Sequence, residues 1–276
     1  MKVKTFTPQN PLLRKYIECF YTLTRKREEK DDVYLAFPNV FSILCLHRQT
    51  KIELIENVRT LSHRPGNEFV SNLICHIKRS EQIRYQGEAD EICVYFKPLG
   101  INAFLDKELR QYVRAAVAEF NPFEDYRLKM TEIFSFENVE DRIRALENYW
   151  LSKHVGFRHA FLPQTVEEIM ENDRQFSLSG AARKIGISRT TLVKHFDLHL
   201  CTTPSHFKKI ARFRSAMKQH GFKFSGANLT ALSHSAEYFD QSHMIKDFKS
   251  LTSFAPKPFF SNISSLENGR INWMFL

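Results

Sequence analysis

The apolar residues of this chain change period once, around Lys97-Pro98-Leu99-Gly100, and that change limits what it can fold into. Before it, short runs rich in β-branched and aromatic residues occur at 33–37, 40–47, 51–55, 69–77 and 91–96. Pro38-Asn39, Pro65-Gly66-Asn67 and Gln86-Gly87 punctuate them. Short runs between turn-forming residues predict strands, here an antiparallel sheet or partial barrel. After it, Val139, Ile143, Leu146 and Trp150 recur at helical spacing and predict an amphipathic helix over 137–153. Such a stripe either packs into a core or faces a partner helix in a homodimer. From 164 to 260 the pattern is helical, with breaks at Gly186, Pro204, Gly221, Gly226 and Pro256. The expected fold class is α+β: a β-rich domain with helices over residues 1–156, an all-α domain over 157–265, and a tail over 266–276. The tail has no clear period, and its apolar end, Trp273-Met274-Phe275-Leu276, is expected to dock on the body.

Composition narrows the setting. A chain of 276 residues, 43% hydrophobic and 26% charged, is long enough for two cores. The five cysteines are odd in number and widely spaced, with no C-x-x-C, which fits reduced thiols in the cytoplasm better than a disulfide framework. The amino-terminal residues carry no apolar signal region, and no stretch approaches the ~18 uninterrupted apolar residues of a spanning helix, so a membrane partner is not expected. The net charge of +9 is regional. Between Arg183 and Lys223 there are ten lysines and arginines and one acid, Asp197. A module that meets phosphate has this bias, although a solvated helical surface can also have it.

Two segments of the helical half have the pattern of a helix-turn-helix. In the first, Leu178, Ala181, Ala182 and Ile185 form a stripe, Gly186-Ile187 a tight turn, and Ser188 an N-cap. Leu192, Phe196 and Leu200 then share one face of the next helix, and Lys194 lies opposite. In the second, Leu229, Leu232 and Ser233 form the stripe, and Asp240 caps a helix in which Met244 and Phe248 point inward and Lys246 outward. Between them Thr203 caps, Pro204 opens and Gly221 ends a long helix, a rigid connector that would set two readers about one duplex turn, ~34 Å, apart.

These residues bring a family resemblance. Residues 178–260 resemble the DNA-binding domain of the AraC/XylS family of transcription regulators. The carriers are Ala181-Ala182, Gly186-Ile187-Ser188, Leu192 with Phe196, Pro204 with Phe207, and Arg212 with Ala216. A second signature follows: Phe239-Asp240-Gln241-Ser242-His243-Met244, Phe248-Lys249, Pro256 and Phe259. The chain departs from the pattern at Cys201, Glu237 and Ser253, where the family usually has Gly, and at Ser233 and Tyr238. Side chains at glycine turns cost about 1 kcal/mol each, so either those turns are rebuilt or the second unit reads DNA weakly, and the two units are not expected to have equal roles. The amino-terminal half resembles a domain that precedes such modules, through Tyr16, Ile17, Phe20, Tyr21, Phe37-Pro38 and residues 94–100 before Phe104.

The resemblance implies a cytoplasmic regulator that binds double-stranded DNA and is controlled through residues 1–156 by a small-molecule effector or by homodimerisation. RNA polymerase is the further partner if it is an activator. Candidate DNA-facing residues are Arg189, Thr190, Val193 and Lys194 in the first unit and Gln241, Ser242, His243 and Lys246 in the second. Lys208, Lys209 and Lys249 are expected to position the protein on phosphates. Two other readings are weighed against it: a DNA-binding architectural protein without operator specificity, and an enzyme with a barrel active site. No catalytic residues, cofactor or metal are expected. His195 and His199 at i, i+4, near Cys201 and His206, lack a metalloprotease glutamate, and His47, His63 and His76 lack a His-x-His pair. There is no phosphate-binding glycine loop or Gly-x-Ser-x-Gly elbow.

Overall fold

The computed structural model describes residues 1–56, 58–66, 69–171, 175–223, 238–267 and 269–276. The chain divides into two compact units. The first, β-rich unit contains residues 1–34, 41–75 and 82–158. The second, helical unit contains 159–276 together with two short segments from the amino-terminal half, 35–40 and 76–81.

Among the described residues, ten strands run through the amino-terminal half: β1 Lys2–Phe6, β2 Ile17–Arg25, β3 Asp32–Ala36, β4 Ser42–Arg48, β5 Thr50–Ile55, β6 Val58–His63, β7 Phe69–Cys75, β8 Glu81–Gln86, β9 Ala89–Phe96 and β10 Val117–Glu119. One sheet has the order β1-β2-β9-β4-β7-β10, with all neighbours antiparallel. The other contains β3-β8-β6-β5, in which β6 and β8 run parallel. Strands β1, β2, β6, β8 and β10 are absent from the sequence expectation. In β2 nearly every residue is buried, so the polar alternation that marks a half-exposed strand is missing.

Side-chain alternation gives the first sheet two different faces. On β9, Glu91 and Cys93 face the second sheet, where Tyr85 of β8 donates to Glu91. Phe96 faces the other way and meets Trp150 edge-on, with ring centroids 5.1 Å apart. Trp150 lies on α4 (Val139–Ser152), which follows α1 (Leu13–Tyr16), α2 (Leu109–Tyr112) and α3 (Tyr126–Ser135). Asn138 caps α4 by accepting from the amides of Glu140 and Asp141. Ile143, Leu146 and Trp150 are buried within this unit, so the stripe serves its own core, and the dimer-helix alternative is set aside. Arg142 reinforces the packing with two bonds to the Asp90 carboxylate, 2.8 and 2.9 Å long. The Lys97–Gly100 motif is a tight crossing. Lys97 N donates to Tyr16 O at 2.8 Å, and a Cβ on Gly100 would lie 2.2 Å from that same oxygen.

The helical unit contains α5 Leu162–Glu171, α6 Leu178–Ile185, α7 Arg189–Leu200, α8 Pro204–Lys223, α9 Gln241–Thr252 and α10 Pro256–Asn262, then a hairpin of β11 Ser264–Leu266 and β12 Ile271–Phe275. Gly221 lies inside α8, which runs two residues beyond the expected stop. The tail is a strand pair, with Trp273 and Met274 buried. The segments 35–40 and 76–81 belong to this unit's core. Phe37 packs edge-on to Phe259 at 5.0 Å, His76 lies 5.7 Å from Phe207, and Ser80 N donates to Leu251 O at 2.8 Å.

Candidate nucleic-acid interface

The first helix-turn-helix follows from three local devices. Ser177 caps α6 by accepting from Gly180 N at 3.0 Å. Gly186 takes φ 78°, which ends α6 and reverses the chain. Ser188 Oγ then accepts from Thr191 N at 3.0 Å and starts α7. Within α7, Leu192, Phe196 and Leu200 are buried, and Phe196 packs edge-on to Phe207 of α8 at 6.1 Å. Burying them turns Arg189, Thr190 and Lys194 into solvent and leaves Val193 half-buried at the edge.

The expected second reader, α9, starts in the same way. Asp240 Oδ1 accepts from His243 N at 2.7 Å, and Met244 and Phe248 are buried. Ser242, Lys246 and Lys249 are exposed, and Gln241 and His243 are half-buried. The expected preceding helix, with Leu229, Leu232, Ser233 and Glu237, lies outside the described residues. Cys201 and Ser253 keep the left-handed turn without glycine, at φ 55° and 69°. The turns after α7 and α9 therefore keep the left-handed form and are not rebuilt, at the steric cost that a side chain carries there.

The structure gives other partners to two lysines expected to hold phosphates. Lys208 Nζ donates to Phe176 O at 2.7 Å and lies over the Phe176 ring. Lys209 Nζ donates to Ser250 Oγ at 2.8 Å and lies 3.5 Å from Asp247. Both side chains brace α8 inside the unit. Arg214, part of the basic stretch, likewise donates to the carbonyls of Pro38 and Phe37, both at 2.7 Å.

Two residues that pack against or lie on α7 and α9 were not read from the sequence. Asp247, on α9, is a buried acid that accepts from Arg212 at 3.2 Å and also faces Lys209 and, at 3.6 Å, His243 Nε2. It fixes α9 against α8. His159 precedes α5 and faces α7. Its Nδ1 accepts from the amides of Phe161 and Leu162, at 3.4 and 3.3 Å, which places its proton on Nε2, 3.0 Å from His195 Nδ1. Burial, then His199 and His195, lowers the His159 pKa to about 4. The three imidazoles are close enough together to share a cation. The capping bonds, however, hold the His159 proton on the nitrogen aimed at that point, whereas a metal-bound histidine donates through its other nitrogen.

No model of a known protein family matches the chain, and no curated protein does. Solved structures do. The chain is similar to ToxT from Vibrio cholerae in its P21 form, with a TM-score of 0.45 and 11% identity over 88% of this chain and 98% of that one. ToxT from strain O395 bound to (E)-4-(8-methylnaphthalen-1-yl)but-3-enoic acid gives 0.48 and 10%, over 88% and 98%. Wild-type ToxT from strain SCE256 bound to an unsaturated fatty acid gives 0.45 and 10%, over 87% and 94%. No helix among the described residues is long and apolar enough to cross a membrane. The helical unit carries a capped helix-turn-helix whose second helix exposes Arg189 and Lys194.

Proposed function

We propose that the chain is a sequence-specific, DNA-binding transcription regulator of the AraC/XylS type, and not an enzyme. One observation carries this reading: α7 starts at a serine cap after a glycine turn and buries Leu192, Phe196 and Leu200, which leaves Arg189, Thr190 and Lys194 exposed near its amino-terminal end. A reading helix needs this arrangement to offer its first turns to base edges in a major groove. Arg189 and Lys194 suit guanine edges or phosphates, and Thr190 and Val193 suit thymine methyls. In the second reader, Ser242, Lys246 and Lys249 occupy the equivalent outer face, with Gln241 and His243 at its border. Lys208 and Lys209 contribute to scaffold bracing in this reading.

Control is assigned to the β-rich unit, through an effector or dimerisation. A cavity of about 590 Å3 beside β7 and β10, lined by residues that include Ser71, Glu119, Asn121 and Arg127, offers an effector charged and polar anchors. The architectural alternative rested on the missing glycines, and two of those three turns keep their left-handed form.

The test is salt-titrated binding of the full chain to duplexes selected from its own genome and to random duplexes. A regulator gives a specificity ratio of about 10³ or more. R189A and K194A should each flatten the salt slope by about 1 if they hold phosphates, or erase base preference at one position if they read guanine. A ratio near one for every selected duplex, or wild-type binding by R189A/K194A, overturns the reading.

A further inference from the structure

Inside the β-rich unit, four side chains of metal-ligating type lie on one face of two adjacent strands, and three of them, Cys45, Glu91 and Cys93, cluster tightly. Strand β4 presents Cys45-x-His47 and strand β9 presents Glu91-x-Cys93. The antiparallel register sets Cys45 directly across from Cys93 and His47 directly across from Glu91. All four are buried. The Cys93 Sγ lies 2.7 Å from Cys45 Sγ and 2.8 Å from Glu91 Oε1, and His47 Nδ1 lies 3.3 Å from Glu91 Oε2. Donor atoms of Cys45, Glu91 and Cys93 all fall within 4.8 Å of one another. Around them, Tyr21 donates its hydroxyl to Glu91 Oε1 at 2.7 Å, and Tyr85 donates to Oε2.

We propose that Cys45, Glu91 and Cys93, with His47 as the fourth ligand, bind a divalent cation of the zinc class. The donor set carries the choice of ion. Two sulfurs, one imidazole and one carboxylate suit a borderline-soft ion that prefers four ligands in a tetrahedron. Hard cations that need six or more oxygens find a single carboxylate here. With metal–sulfur bonds of about 2.3 Å, the two sulfurs of a tetrahedral site stand about 3.8 Å apart, so they need to separate by about 1 Å, within the reach of cysteine rotamers. The tyrosine hydroxyls supply the outer hydrogen bonds that orient a ligating carboxylate. A bound cation would also add an opposite charge beside the buried Glu91 carboxylate, which faces His47 Nδ1 and two tyrosine hydroxyls.

Binding is balanced as one divalent ion and two thiols giving two metal–thiolate bonds and two released protons. With His47 closing onto the three clustered donors, four protein ligands would leave no open position, which makes the proposed site a structural clamp of β4 to β9. This differs from the sequence expectation of no metal. It is also independent of the DNA-binding proposal.

The test uses the full chain, unfolded with reductant and chelator and refolded with one equivalent of cobalt(II) as the zinc probe. The site predicts thiolate-to-cobalt charge-transfer absorption, tetrahedral visible bands and one metal per chain. C45S/C93S should abolish the charge transfer. Y21F removes only an outer hydroxyl, so it should fold, keep the stoichiometry and bind about 10–100-fold more weakly. Folding is checked by circular dichroism, and if the serine pair fails to fold, Y21F decides. Three results overturn the proposal: no charge transfer in the reduced wild type, a Cys45–Cys93 disulfide in protein alkylated directly in cells, or unchanged cobalt binding in C45S/C93S or Y21F. Unchanged binding in C45S/C93S would show that the ion binds outside this cluster.

Discussion

Replacing Asp247 by alanine should destabilise the helical unit more than any change on the exposed face of α9. The carboxylate accepts from Arg212 at 3.2 Å and lies 3.5 Å from Lys209 Nζ, and its side chain is 7% exposed. Arg212 is 13% exposed and Lys209 is 31% exposed. Removing one partner of a buried pair costs about 3–5 kcal/mol, because the remaining charge stays desolvated. Lys209 can rehydrate, so the lower end applies. A loss of about 3 kcal/mol lowers the folding equilibrium constant by a factor of about 150. It lowers Tm by about 10–15 °C for a unit of between about 100 and 150 residues. Urea unfolding followed by far-ultraviolet circular dichroism measures it, with R212M, D247L and the double variant completing a cycle. The double variant should recover most of the loss, since an apolar pair of similar volume replaces two buried charges. A D247A cost below about 0.5 kcal/mol, or strict additivity in the cycle, would refute the reasoning that this network holds α9 to α8.

Three further outcomes are expected. C201G and S253G relieve left-handed φ values of 55° and 69°. The gain is partly offset by glycine's larger unfolded-state entropy, so each should stabilise by about 0.5–1 kcal/mol, and a lower Tm in either would show that the turn is unstrained. L192A empties a fully buried position on α7 and should cost about 2–5 kcal/mol in urea unfolding. His76 and His159 make the helical unit acid-sensitive. Burial, then His206, lowers the His76 pKa to about 4, and burial, then His199 and His195, does the same for His159. The unfolded imidazoles titrate near about 6.5, so between about pH 6.5 and 4 the unfolded chain binds more protons. Stability is complete above that window and falls as pH drops through it, which a series of Tm measurements checks; a Tm that holds level across the window contradicts it.

Signals confined to a few neighbouring residues were legible without coordinates. Gly186, Ser188 and Asp240 act within one turn of chain, and Leu192 with Phe196 and Met244 with Phe248 needed only helical periodicity. The stripe of α4 was equally visible, but the sequence left open whether a core or a partner would cover it, and its packing on Phe96 decided that. Strand β2 escaped notice because covering both faces removes the alternation that reveals a strand. Tertiary structure alone assigned Lys208 to the Phe176 carbonyl, Arg214 to those of Phe37 and Pro38, and residues 35–40 and 76–81 to the helical unit. It alone set Cys45-x-His47 across from Glu91-x-Cys93. Local backbone preference and cap chemistry act over a few residues and can be read along the chain. Which buried partner a charge or thiol meets depends on strand register and helix packing between residues far apart in sequence, and those are settled only when the whole core closes.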